Sequence, residues 1–169
     1  MTSTTLNMSM MKNSPQLLSY DIAPGVRAFS TMRHGGVGEG AYCSFNINSY
    51  CGDSQENIAA NKALLAETLG IEPTKILLPH QVHGADFCII APDFMVLPEE
   101  ERAKVIEGVD GIFTSMSGVC IGVSTADCIP IIIYDPEHHA ACAIHAGWRG
   151  TVKRIASKAV AEMQTTYHS

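Results

Sequence analysis

The feature that most constrains the fold is a pair of apolar runs separated by a turn sequence. Residues 129–134 read IPIIIY, residues 140–145 read AACAIH, and Asp135-Pro136 follows directly after the first run. Asp followed by Pro favours a type I turn, because the pyrrolidine ring presets the backbone angle at the second turn position. Two apolar runs around such a turn predict a buried antiparallel hairpin.

The turn also determines which side chains meet across the hairpin. With Tyr134 opposite His139, Cys128 lies directly opposite His145 on one face, with Cβ atoms roughly 4.5–5.5 Å apart. A slip of one residue would move the two side chains to opposite faces. At this separation a thiolate and an imidazole can share a metal ion, or the imidazole can take a proton from the thiol.

The first half of the chain predicts a strand, a loop and a helix. A strand at 26–31 leads into a glycine-rich loop at 32–40, which is more typical of a mobile loop than of a phosphate cradle. A helix is predicted from the capping sequence at Asp53 to Gly70, with Ile58, Leu65 and Leu69 on its apolar side.

The second half predicts mostly sheet. Strands are expected at 76–78, 86–90, 111–114 and 119–124, besides the hairpin, and a short helix begins at Pro98. The last helix runs from Trp148 or Arg149 to about Met163, with an apolar face formed by Val152, Ile155, Ala159 and Met163. The whole pattern predicts an α+β fold, a single domain whose mixed, largely antiparallel sheet is flanked by helices.

Composition limits the classes of partner and location. The net charge is −6 and lysines and arginines form no stripe, which disfavours nucleic acid and anionic membranes as partners. Residues 1–24 are expected to be a mobile lead-in without a secretory apolar core, ahead of a domain at 25–169, and no apolar run is long enough to span a membrane. We therefore expect a cytoplasmic protein whose cysteines are mostly small buried hydrophobes rather than disulfide partners.

Four readings of the Cys128–His145 pair remain open from the residues alone. With His83 as third ligand, and His80 as its competitor, a catalytic zinc site would result. Without metal, Cys128 would be a nucleophile with His145 as base, oriented by Asp127 or Asp110. A copper oxidase site is the third reading, and a binding domain with incidental cysteine and histidine is the fourth.

The segment after His145 could bind the substrate. Glycines at 147 and 150 expose backbone N–H groups at the start of the last helix, an arrangement that suits anions. Arg149 would add positive charge there, and Trp148 offers a flat face for a planar ring. Core packing is the equally plain alternative for this tryptophan.

A set of motifs occurs in a fixed order along the chain. They are Thr31-Met32-Arg33-His34-Gly35-Gly36, Asn46, Gly52-Asp53, Asn61, His80-Gln81-Val82-His83-Gly84, Asp110-Gly111, Ala126-Asp127-Cys128-Ile129-Pro130-Ile131 and His145-Ala146-Gly147-Trp148-Arg149-Gly150. From about residue 25 to its end, the chain resembles the YfiH family, also called laccase-domain or polyphenol oxidase-like proteins.

The resemblance implies a fold, an activity and a set of site residues. The implied fold is similar to that of YfiH proteins and of deamidating bacterial toxin catalytic domains. The implied activities are zinc-dependent phosphorolysis of adenosine, inosine, guanosine and methylthioadenosine, and deamination of adenosine, with inorganic phosphate as co-substrate. Family members were first named copper-dependent polyphenol oxidases, so copper is the alternative metal. The implied catalytic and metal-binding residues are His83, Cys128 and His145.

Two further expectations accompany the resemblance. Arg33 and Arg149 are candidates to hold the phosphate beside the nucleoside. Family members are usually longer, so a C-terminal part is expected to be missing here. A sheet that lacks strands would expose an edge, which predicts either poor solubility or a homodimer that covers the edge.

Overall fold

The computed structural model describes residues 13–169. Helices and short strands alternate along the chain, which confirms the α+β class. The chain divides between Ile76 and Leu77 into two compact units. Among the described residues, no helix is long and apolar enough to cross a membrane.

The first unit contains a small sheet near its start. Strand β1 (Leu17–Tyr20) pairs antiparallel with β2 (Ala28–Thr31), so that Leu17 lies opposite Thr31. The prediction of a mobile lead-in over residues 1–24 is therefore wrong for β1, because the backbone groups of this segment are engaged in a strand ladder. Residues 1–12 of the lead-in lie outside the described residues.

Helix α1 (Gln55–Leu69) follows where the sequence predicted it. It ends at Gly70, whose φ of 73° is a left-handed conformation that glycine adopts without steric cost. Ile58 and Leu65 are buried as expected. A three-residue 3₁₀ turn lies on each side of this helix, at Gly40–Tyr42 and at Pro73–Lys75.

The glycine-rich loop is tied to α1 by a residue that the apolar pattern did not reveal. Asn61 is fully buried, and its amide oxygen accepts the Val37 N–H at 2.9 Å while its amide nitrogen donates to the Asn46 carbonyl at 2.9 Å. A Cβ at Gly36 would lie 2.4 Å from the same amide oxygen. The loop that we expected to be mobile is thus hydrogen-bonded to a buried side chain.

The second unit is built on a four-stranded mixed sheet. Its order is β4 (Phe87–Ile90), β5 (Gly111–Thr114), β8 (Ala140–Ala146) and β7 (Ile129–Asp135). Only the β4–β5 pair is parallel, which confirms the largely antiparallel prediction. Two short strands, β3 (Ile76–Leu77) and β6 (Cys120–Ile121), form a separate ladder.

Helices cover both faces of the four-stranded sheet. One apolar cluster joins Phe113 and Ile144 to Ile155, Ala159 and Met163 of helix α5 (Ile155–Tyr167). Because side chains alternate along a strand, the neighbouring positions face the other way. They pack with the segment that contains α2 (Pro92–Met95) and α3 (Glu99–Val105), in a second cluster formed by Leu77, Cys88, Ile90, Phe94, Ile106, Val109 and Ile112.

The predicted register of the hairpin is wrong by two residues. Tyr134 lies opposite Ala141 rather than His139, and Pro130 lies opposite His145. The loop keeps four residues but moves by one position, to 136–139, because Asp135 joins the ladder opposite Ala140. Beside this loop, the Asp135 carboxylate accepts the backbone N–H of Glu137 at 2.8 Å and contacts the His138 ring at 2.7 Å. A shift of two residues keeps every side chain on its predicted face, since the side-chain period of a strand is two.

The last helix is interrupted where the apolar pattern predicted continuity. Helix α4 (Trp148–Val152) ends before Arg154, whose φ of 62° reverses the backbone hand ahead of α5. Val152 is consequently 75 % exposed, and its predicted place on the buried face is wrong. The remaining predicted face residues, which belong to α5, are buried.

Candidate metal centre

Three predicted residues come together at one end of the large sheet. The ligand atoms of His83, Cys128 and His145 all lie within 4.8 Å of one another. The two imidazole rings meet edge to face, with centroids 4.7 Å apart and planes at 80°. His145 is buried, Cys128 is half-buried and His83 is exposed, so the cluster is open on one side.

The hairpin supplies two of the three side chains. His145 belongs to β8, and Cys128 immediately precedes β7. In the observed register Cys128 is a diagonal neighbour of His145 rather than a direct one. Diagonal pairs on one face of an antiparallel ladder are still within reach of long or aromatic side chains.

The third side chain, that of His83, lies on a loop whose backbone is hydrogen-bonded to a buried carboxylate. Asp110 is fully buried, and its carboxylate accepts the backbone N–H groups of Val82, His83 and Gly84 at 3.3, 2.9 and 2.6 Å. The same carboxylate accepts a hydrogen bond from His145 Nδ1 at 2.7 Å. Asp110, like Asp127, was predicted from the sequence as a group that could orient His145.

Gly147 leaves room at the point where the three side chains converge. A Cβ built there would lie 2.9 Å from His83 Cδ2, 3.3 Å from Cys128 Sγ and 3.6 Å from His145 Cε1. Its own φ of −69° is open to any residue, so the need for glycine arises from space and not from backbone strain.

His80, the competitor for the third position, is directed elsewhere. Its Nδ1 contacts the Glu107 carboxylate at 2.5 Å, and its backbone forms an isolated bridge with the same residue. The spacing of His80-Gln81-Val82-His83 could not by itself decide between the two histidines. The buried Asp110 carboxylate holds the backbone of residues 82–84, and His83 rather than His80 therefore lies in the cluster.

A glutamine that the sequence analysis did not single out links two loops of the centre. The Gln81 side chain donates to the Ser124 carbonyl and accepts the Ser124 N–H, both at 2.7 Å. The loop that precedes Cys128 is thus fastened to the loop that carries His83. In the sequence, only its position between His80 and His83 could have indicated a role for Gln81 at this site.

The candidate substrate residues lie in different places. Trp148 is 70 % exposed, which excludes the core-packing alternative, and the Arg149 guanidinium lies 5.2 Å from its ring centroid. Both belong to the short helix α4, which begins after Gly147 as predicted. Arg33 belongs to the first unit, where its guanidinium donates to the Cys43 carbonyl at 2.9 Å.

The other cysteines differ from Cys128 in their surroundings. None of the six cysteines, all of which lie within residues 13–169, forms a disulfide. Burial raises the pKa of both Cys88 and Cys142. Raised thiol pKa values leave little thiolate near neutral pH, so these two behave as apolar core residues. Cys43 and Cys51 are exposed, and Cys120 is half-buried.

The fold and the donor cluster together define an α+β protein with a candidate cysteine–histidine metal centre. The chain belongs to the multi-copper polyphenol oxidoreductase laccase family, whose sequence model matches residues 27–169. This result confirms the family resemblance that the sequence motifs indicated.

Individual relatives carry two different names. The chain is 38 % identical over 139 residues to a purine nucleoside phosphorylase of Bacteroides thetaiotaomicron, covering 82 % of this chain and 52 % of that protein. It is 40 % identical over 139 residues to adenosine deaminase RL5 of an unknown prokaryotic organism, covering 82 % and 53 %.

A solved structure supports the fold. The crystal structure of YlmD from Geobacillus stearothermophilus superimposes with a TM-score of 0.79 at 34 % identity, covering 87 % of this chain and 56 % of that one. The chain therefore spans about half the length of the relatives that it matches.

Proposed function

We propose that this chain carries the metal centre of an enzyme that acts on purine nucleosides. The reactions would be phosphorolysis of adenosine, inosine, guanosine and methylthioadenosine, and deamination of adenosine. The observation that carries the proposal is the convergence of His83, Cys128 and His145. Relatives named for phosphorolysis and for adenosine deamination support the substrate class.

Zinc is the proposed ion because of the donor set and the space around it. One thiolate and two imidazoles, with a fourth position left open, are typical of catalytic zinc. Zinc bonds of about 2.0–2.3 Å require tetrahedral donors roughly 3.3–3.8 Å apart, so small side-chain rotations would close the cluster from its present limit of 4.8 Å. Copper accepts the same three donors and is the alternative.

Different residues would have different roles at this centre. When bound, the ion would supply Lewis acidity that makes a water molecule a nucleophile near neutral pH. His145, with Nδ1 engaged by Asp110, presents Nε2 as its ligand atom. The exposed side of the cluster, next to His83, is where a purine ring would enter, and the exposed indole of Trp148 offers it a stacking surface.

We assign Arg149 and Arg33 to phosphate binding. Arg149→Ala is expected to raise the KM for phosphate in phosphorolysis and to leave adenosine deamination unchanged, because deamination consumes water and no phosphate. Lys153→Ala, a nearby exposed cation, is the control. An unaltered phosphate dependence in Arg149→Ala would remove this residue from the assignment.

A second candidate function has its own supporting observation. The Asp110 carboxylate is hydrogen-bonded to His145, and His145 lies beside the Cys128 thiol. This carboxylate–imidazole–thiol arrangement is typical of a cysteine–histidine hydrolase. Such an enzyme would work without a metal.

Metal content of the purified chain tests these alternatives directly. We expect zinc near one equivalent in the native chain and in Cys43→Ala, whose thiol is exposed, and loss of zinc in Cys128→Ala. Copper in place of zinc would favour a polyphenol oxidase. No metal in any of the three proteins would contradict the proposal and favour the hydrolase.

Location and assembly remain predictions. We propose a cytoplasmic location and a homodimer that covers the outer edge of β7, where Ile129 and Ile132 are exposed. Sedimentation of the purified chain tests the dimer, and a monomer at all concentrations would refute it.

A further inference from the structure

We infer that Asp110 is a positioning residue that fixes two of the three candidate ligands at once, one through its ring and the other through its backbone. The inference deepens the proposed function and rests on the metal centre proposed there. Asp110 itself contributes no atom to the donor cluster.

The first contact sets the state of one imidazole ring. Asp110 Oδ1 and His145 Nδ1 are 2.7 Å apart, with both side chains almost completely buried. An ionised carboxylate only accepts hydrogen bonds, so the ring must carry a proton on Nδ1. The other nitrogen, Nε2, is then left with a lone pair for a metal ion. A histidine ligand whose second nitrogen donates to a carboxylate is held in one tautomer and one orientation.

The second contact sets the backbone that carries the other imidazole. Three successive N–H groups, of residues 82–84, converge on the Asp110 carboxylate. Between them His83 has a φ of 60°, a left-handed conformation that is uncommon for residues other than glycine. Successive N–H groups in such a conformation form a concave binding site for an anion. The carboxylate occupies it and thereby directs the His83 side chain toward the cluster.

The hydrogen-bond partners of the Asp110 carboxylate all belong to the two ligand segments. Among residues 13–169, its side-chain partners are the three backbone N–H groups and the His145 ring, and neither lysine nor arginine forms a salt bridge with it. Gly84 also lacks the Cβ that would approach Asp110 Oδ2 to 3.2 Å. The hydrogen bonds of Asp110 thus join the segment that carries His83 to the ring of His145.

Asp110→Asn is the matched substitution, because it keeps the shape and removes one acceptor. In either orientation of the amide, its NH₂ group faces donors. At the Oδ1 position it meets His145 Nδ1–H and the His83 N–H, and at the Oδ2 position it meets the N–H groups of Val82 and Gly84. We expect zinc affinity, measured by competition with a chelating dye, to fall about 10- to 100-fold. Asp86→Asn, an exposed neighbour on the same connection, is the control and is expected to bind zinc like the native chain.

The tautomer of His145 is the readout that a merely structural role would not change. Nitrogen NMR of ¹⁵N-histidine-labelled, zinc-free native chain is expected to show a proton on His145 Nδ1, the atom that contacts Asp110. A His145 ring without a proton on Nδ1 in the native chain would overturn the inference, as would native zinc affinity in a folded Asp110→Asn chain. Should Asp110→Asn fail to fold, the native tautomer decides alone.

The two proposals can fail separately. A native chain that binds no zinc contradicts the proposed function, whereas the tautomer measurement on the zinc-free chain still tests the role of Asp110. A native chain that binds zinc but whose His145 carries no proton on Nδ1 retains the metal centre and refutes the positioning role.

Discussion

Replacing Gly147 by alanine would test whether metal binding requires the close approach of His83, Cys128 and His145 that the structure shows. The new Cβ would lie 2.9 Å from His83 Cδ2 and 3.3 Å from Cys128 Sγ. Carbon atoms pack best at about 3.5 Å or more, so the His83 ring must retreat by about 0.6 Å. The backbone angle at this position suits alanine, so the substitution adds no backbone strain.

The magnitude depends on whether a metal holds the ring in place. In the metal-free chain the exposed His83 ring can swing outward, and stability should fall by less than about 1 kcal/mol, the usual loss at a helix start when glycine becomes alanine. With metal bound the ring must return, and overpacking costs about 1–3 kcal/mol. This corresponds to a loss of metal affinity of about 5- to 150-fold.

Zinc competition and urea unfolding of the metal-free chain measure the two effects separately. Gly122→Ala is the control, because its Cβ would meet only Leu78 Cδ2, at an ordinary 3.4 Å. We expect native affinity in this control. Native affinity in Gly147→Ala as well would show that the three side chains do not need this space when metal is bound. A loss of stability in the metal-free chain as large as the loss of binding energy would also contradict the prediction.

Three further predictions follow from particular contacts. Phe113→Ala is expected to lower the unfolding free energy by about 3–5 kcal/mol in urea, because the ring is completely buried; a loss below 1 kcal/mol would contradict this packing. Burial raises the pKa of Tyr167 to about 12, so the native chain should lose stability as pH rises from about 10 to 12, and Tyr167→Phe should lack that part of the loss; parallel pH–stability curves for the two chains would exclude the effect. Gln81→Ala removes both bonds to the Ser124 backbone and should weaken zinc binding about tenfold, measured by dye competition, while a native value would show that the linkage is dispensable.

The local sequence was sufficient for much of the fold because short-range preferences and tertiary packing agree there. The apolar runs of the hairpin, the glycine that ends α1 and the three buried positions of α5 follow from periodicity and backbone sterics. The faces of Cys128 and His145 were also determined locally, because a strand has a side-chain period of two.

The break in the last helix was not visible in the sequence. The apolar spacing continues through Val152 and Ile155, yet Arg154 adopts a left-handed conformation between the two helices. Nothing in the sequence marks this position, since neither glycine nor proline occurs there. Tertiary packing of Ile155 against the sheet outweighs the local preference for a continuous helix.

Local sequence patterns were enough to predict most of the elements, the faces of the hairpin strands and the thiol and imidazole groups of the candidate centre. The assembly of the centre depends on tertiary contacts, which set the hairpin register, place His83 rather than His80 in the cluster, and connect Asp110 to both ligand segments. These contacts could not be predicted because they join residues that are far apart in the sequence. Periodicity and turn chemistry act over a few residues, whereas the bonds of Asp110 join groups 26 to 35 residues apart, and a local pattern does not encode such partners.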